Sequence, residues 1–176
     1  LREPIVAIVG TRRATPYGLR MTRELAGALA RAGATIVSGM ALGIDAVAHK
    51  ATLDVDGRTV AVLGTGADIA YPRGHVALHR EIAARGLVLS ELPPGARSHR
   101  GSFPKRNRII AGLARLTIVV EAPFLSGALI TARQANDLGR DVAAVPGPID
   151  SPQSQGSNEY IRDGAHAITS VEDALM

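Results

Sequence analysis

The 176-residue sequence is 46% apolar and sets 18 Arg and 2 Lys against 16 acids, for a formal charge of +4. That is enough for one domain with a real core over 1–176. The absence of cysteine excludes a disulfide framework or a thiolate metal site and points to a reducing cytosol. No apolar run is long enough to cross a bilayer and no signal-peptide pattern opens the chain, so a cytoplasmic protein without a membrane partner is expected. A strand follows Leu1 almost at once, as expected of a domain taken from a longer protein.

Six Val/Ile-rich runs alternate with helical patterns: "IVAIVG", "ATIVSG", "TVAVLG", "LVLSE", "LTIVVEA" and "DVAAVPG". They lack polar alternation and are spaced as repeated βα units. The pattern predicts a doubly wound α/β fold, Rossmann-like, with a mostly parallel sheet and helices on both faces. Irregular connections are expected over 91–103 and 146–157, and the tail "ITSVEDALM" reads as a short strand with a capped final turn.

Gly10, Gly39, Gly64, Pro93-Pro94-Gly95 and Gly147 all follow strand ends. In such sheets the ligand crevice lies outside the carboxyl ends of the strands, where glycine allows close approach and frees amides for anions. The same glycines also suit plain βα turns. In "GTRRATPYG" Gly10 opens the turn, Thr11 can cap the helix, and Arg12 can hold a phosphate beside the helix amides or stand exposed. In "SGMALGIDAVAH" Ser38 and Gly39 can form an anion nest. Asp45 and His49, four residues apart, form either an acid/base pair or a helix-start carboxylate with a structural histidine.

"GTGADIAYPRGH" places Ile69 where a dinucleotide fingerprint needs Gly or Ala, which disfavours a Rossmann cofactor, while Tyr71 and Arg73 can reach a nucleic-acid strand. His75 and His79 lack a third metal ligand, so a solvated face is expected rather than a metal site. No G-x-x-x-x-G-K-[ST] and no G-x-S-x-G is present. Glu121, closing the fifth strand, can hold a loop arginine or an amide.

The stretch "RSHRGSFPKRNRIIAG", Arg97 to Gly112, carries five Lys/Arg and no acid up to Arg108. Ile109, Ile110 and Leu113 continue it at helical spacing, with Ser102 as the expected N-cap. Lys105, Arg106 and Arg108 then crowd the positive end of a helix, which is unfavourable unless an anion binds there. Asn107 can bond a base edge or a neighbouring loop. Phe103 can stack a base or pack with Ile110. With Arg12, Arg73 and Arg100 these residues suit a phosphate-tracking groove of low sequence specificity.

Taken in order, "VGTRRATPYG", "SGMALGIDAVAH", "GTGADIAYPRGH", "LSELPPG", "FPKRNRIIAGLA", "VVEAPFLSGALITARQA" and "GRDVAAVPGPI…GSNEYIRDGA" resemble the DNA-processing protein A family, DprA or Smf, of bacterial natural transformation. The resemblance covers nearly the whole chain. It implies an extended Rossmann fold that binds single-stranded DNA, forms a homodimer and helps load the RecA recombinase. Contacts near Ser126 and Gly127 belong to it as well. Leu125 stands where the family often has a basic residue, a departure from the family's pattern at that place. The family's helical N-terminal and winged-helix C-terminal domains are expected to lie outside these 176 residues. Apart from the resemblance, the lack of a nucleophile, base and oxyanion set at credible spacing predicts no chemical turnover, and no cofactor is expected. Two other readings keep the fold: a phosphoribohydrolase-like nucleotide enzyme, although P-G-G-x-G-T-x-x-E is absent, and a pure protein-interaction module.

Overall fold

A computed structural model describes residues 4–175 of the chain. The Val/Ile runs form β1 (Ile5–Val9), β2 (Thr35–Ser38), β3 (Thr59–Leu63), β4 (Leu87–Ser90), β5 (Leu116–Val119) and β6 (Asp141–Ala144). A seventh strand, β7, spans His166–Ala167. The connections carry α1 (Pro16–Arg31), α2 (Ile44–Leu53), α3 (Val76–Arg85), α4 (Ser102–Leu113), α5 (Gly127–Asp137) and α6 (Gln155–Arg162). All pairings are parallel, in the order β4-β3-β2-β1-β5-β6-β7.

The lack of polar alternation has a direct cause. Successive strand residues point to opposite faces, and both faces of the central strands are covered. Val6 and Ile8 of β1 pack with Leu25, Leu29 and Ile44 under α1 and α2. Ala7 and Val9 pack with Ile110, Ala111 and Leu129 under α4 and α5. A third cluster, including Met40, Leu63, Leu78 and Ile82, seats α3. Each fully buried Leu, Ile or Val contributes about 1.5–3 kcal/mol.

Two expectations change. The piece 146–157 is not irregular throughout, because α6 starts at Gln155 behind a 3-10 turn over Pro152–Ser154. The final strand lies at His166–Ala167, ahead of the expected "ITS". The turn after it is capped as expected: Thr169 N and Ser170 N both donate to Asp173.

Candidate nucleic-acid interface

The chain runs outward from β1 to β4, then crosses to β5 on the other side of β1, so the strand order reverses between β1 and β5. Connections diverge there and leave a gap. A cavity of about 320 Å³ fills it, walled by the β1–α1 loop, the start of α4 and the start of α5. Gly10, Arg12, Phe103, Asn107 and Ser126 all line it.

The β1–α1 loop is held from within. Glu121 is buried, and its carboxylate accepts from Thr15 N at 2.9 Å and from the Thr15 hydroxyl. Glu121 therefore holds an amide, one of its two expected roles. Thr15, not Thr11, is the N-cap of α1: its hydroxyl accepts from Gly18 N at 3.2 Å, with Pro16 as the first helical residue. Thr11 instead accepts from Arg13 N. The Arg13, Thr15 and Gly18 amides beside Arg12 are thus already occupied. Gly10 answers to packing, since a Cβ there would lie 2.4 Å from Ile44.

The nest expected at Ser38 and Gly39 is also filled. Asp45, a carboxylate of the protein itself, accepts from Gly39 N at 3.1 Å and Ala41 N at 3.4 Å, while the Ser38 hydroxyl donates to the Ile8 carbonyl. Ser38 and Gly39 are both buried, so the expectation of free groups there is corrected. Burial pushes the Asp45 carboxyl up, opposed by the charge of Arg106. His49 shares no bond with Asp45. Its Nδ1 sits 2.6 Å from Thr59 Oγ1, and burial holds its pKa down to about 3.

At α4 the cations divide. Arg106 does not stand free at the helix start: it is 6% exposed, donating from Nη1 to the Gly39 carbonyl at 2.9 Å and to the Val62 carbonyl, and from Nε to Asn107 Oδ1 at 3.1 Å. Asn107 is buried and donates to the Gly127 carbonyl at 3.2 Å, at the start of α5 rather than in a loop. Arg108 is exposed and paired with Glu91. Lys105 and Arg100 are exposed, as are Arg12 and Arg73, and none of the four makes an ion pair among the described residues. Gly101, in left-handed backbone at φ 93°, is the N-cap in place of Ser102, whose hydroxyl accepts from His99 N.

Phe103 belongs to none of the three core clusters. Its half-buried ring rests on Gly64, where a Cβ would approach within 2.8 Å, and stands 5.0 Å from the Tyr71 ring at a 33° tilt. The Arg12 guanidinium lies 5.6 Å from its centroid. Ser126 caps α5 without a side-chain bond, and its Oγ is buried without a partner. Gly127 is exposed, and Leu125 before them is 73% exposed at φ 59°. His75 and His79 do not form a solvated face: their rings bond the Met40 and Ala67 carbonyls at 2.9 and 2.8 Å. No group of three metal-binding side chains occurs among the described residues. The role of Gly64 as a seat for Phe103 escaped sequence reasoning, though a glycine at a strand end facing the chain's rare aromatic was a usable signal.

The model of the DNA recombination-mediator protein A family matches residues 1–176. The chain belongs to that family. It is 52% identical over 172 residues to protein Smf of Synechocystis, covering 98% of this chain and 43% of that protein. The X-ray structure of DNA processing protein A from Streptococcus pneumoniae superposes with a TM-score of 0.92 at 43% identity, over 99% of this chain and 61% of that one. DNA processing protein A from Helicobacter pylori, whose structure concerns its single-stranded DNA binding mode, gives 0.89 at 36%, over 97% and 77%. The chain thus spans about half the length of the Synechocystis relative and about three fifths of the pneumococcal one. The fold agrees with the expected Rossmann-like class.

Proposed function

We propose that the switch-point crevice holds a single DNA strand without chemical turnover, as the core of a DNA-processing protein of natural transformation. One observation carries this reading. Four exposed cations that make no ion pair among the described residues, Arg12, Arg73, Arg100 and Lys105, lie on connections that follow the carboxyl ends of the strands, where Phe103 and Tyr71 also meet. Cations with aromatic faces are what a sequence-tolerant single-strand site needs. The Helicobacter relative's single-stranded DNA binding supports the same reading. Turnover is not expected from the acids nearest the crevice, because Glu121 and Asp45 are both engaged by backbone amides and His49 is buried away from it.

RecA as a partner, a cytoplasmic setting and a homodimer rest on the family resemblance. Light scattering at tens of micromolar tests the dimer, and a monomer there rejects it for this chain. For the strand, an electrophoretic titration with labelled oligonucleotide against free nucleotides is decisive. With about four phosphates neutralised, log K should fall with log salt at a slope near −3, at roughly −0.7 per phosphate. A flat salt response, or equal affinity for duplex, rejects the crevice as the site.

A further inference from the structure

Arg106 looks like one more phosphate ligand in the sequence, yet its surroundings give it different work. The guanidinium bonds the ends of two strands, the Gly39 carbonyl after β2 and the Val62 carbonyl in β3. Its Nε holds Asn107 Oδ1, and Asn107 in turn holds the Gly127 carbonyl at the start of α5. The Phe103 centroid lies 5.9 Å from the same guanidinium. One planar fork therefore ties four walls of the crevice together. The fit is close: a Cβ on Gly39 would come within 2.6 Å of Nη2.

We propose that Arg106 is a positioning residue of the crevice, setting where Phe103 and the start of α5 stand relative to β2 and β3 without itself contacting the strand. This rests on the single-strand reading above. Burial lowers the guanidinium's pKa and raises that of Asp45, and each charge opposes the other's shift. Arg106 and Asp45 are thus electrostatically coupled beneath the crevice, and the exposed cations are the ones left to meet phosphate. Lysine cannot replace the fork, because a single ammonium cannot span two carbonyls and an amide oxygen.

The test exploits the fact that salt dependence counts phosphate contacts while affinity also reports geometry. Wild type, Arg106→Lys, Lys105→Ala and Gly39→Ala are titrated with labelled single strand across a salt series. Circular dichroism fixes a temperature at which each is folded. Arg106→Lys is expected to weaken binding at least tenfold with an unchanged salt slope, whereas Lys105→Ala should flatten the slope by about 0.7. Gly39→Ala keeps every cation and displaces the guanidinium, so it should also weaken binding at constant slope. This variant decides the matter if Arg106→Lys does not fold. Arg106→Lys keeps the cation, so the slope is read in Arg106→Met, titrated alongside at a temperature where it is folded: a slope flattened by about 0.7 there makes the residue a phosphate ligand through Nη2, for which no hydrogen bond is found among the described residues, and overturns the proposal. Affinity unchanged in folded Arg106→Lys or in Gly39→Ala makes it structural only and also overturns it. A wild type that does not bind removes the single-strand reading itself.

Discussion

Acid is expected to weaken this fold through His49. The ring is fully buried, and Thr59 Oγ1 donates its single proton to the Ile36 carbonyl at 2.9 Å. Nδ1 must therefore carry a hydrogen to bond Thr59, which leaves Nε2 unprotonated and without a partner. Burial first, then the charges of Arg106 and His75, hold the pKa down to about 3 from 6.5. Between those values the unfolded chain binds the proton and the folded one does not, so stability is complete above pH 6.5 and drains as pH falls toward 3. The loss is about 1.4 kcal/mol per pH unit below 6.5, on the order of 2–3 kcal/mol in all at pH 4.5. Asp45 acts in the opposite sense, because a raised carboxyl pKa favours the folded state as pH falls through it. Comparison with a non-titrating variant removes that contribution. His49→Asn keeps an amide donor near Nδ1, and urea unfolding at pH 6.5 and 4.5 should show wild type losing about 2 kcal/mol more than the variant. Equal losses would refute a buried neutral imidazole.

Arg106→Ala should cost about 3–5 kcal/mol of stability, since it leaves Asp45 and two strand-end carbonyls uncompensated, while Lys105→Ala should be neutral or a few tenths stabilising at a helix start; denaturant midpoints separate the two. Phe103→Ala should lose about 1–3 kcal/mol of single-strand affinity by titration, with a smaller drop in stability than the 3–5 kcal/mol of a core Phe, because its ring is only half-buried. Gly18→Ala should lower stability by about 1–3 kcal/mol in thermal unfolding, because its Cβ would sit 2.3 Å from Glu121 Oε2 and break the Thr15 clasp.

The strands and the ligand edge were legible because Val/Ile runs ending in glycine state both the sheet and its open side. The division among the cations of α4 was also present in the sequence, but in helical phase rather than in composition. Ile110 faces the core, and residues three, four and seven positions before it share its face. That phase turns Asn107, Arg106 and Phe103 inward and leaves Lys105 and Arg108 outside, as observed. Counting five cations on one stretch hid this, because charge density carries no direction. The cap of α1 was misread for a similar reason. Thr11 stands nearer the strand, but Pro16 fixes the first helical turn and makes Thr15 its neighbour.

What binds at the open edge is decided by how its backbone amides are spent. Strand-end glycines suggested amide cradles for phosphate, yet the protein fills its own. Asp45 takes Gly39 N and Ala41 N, Glu121 takes Thr15 N, and Asp68 takes Gly95 N at 2.9 Å through both oxygens. At α4 the first turn gives little more, since Pro104 has no N–H and Lys105 N donates to the Gly101 carbonyl. An anion arriving here meets mainly long, exposed side chains rather than a rigid backbone nest. Such groups attract charge without fixing the geometry of one phosphate, which suits a polyanion sliding through several registers better than a single nucleotide held for chemistry. The rigid part of the site is the aromatic pair on Gly64 and the Arg106 fork beneath it. On the single-strand reading, affinity should therefore follow ionic strength, while discrimination between single and double strands should follow Phe103, on which only an unstacked base would stack.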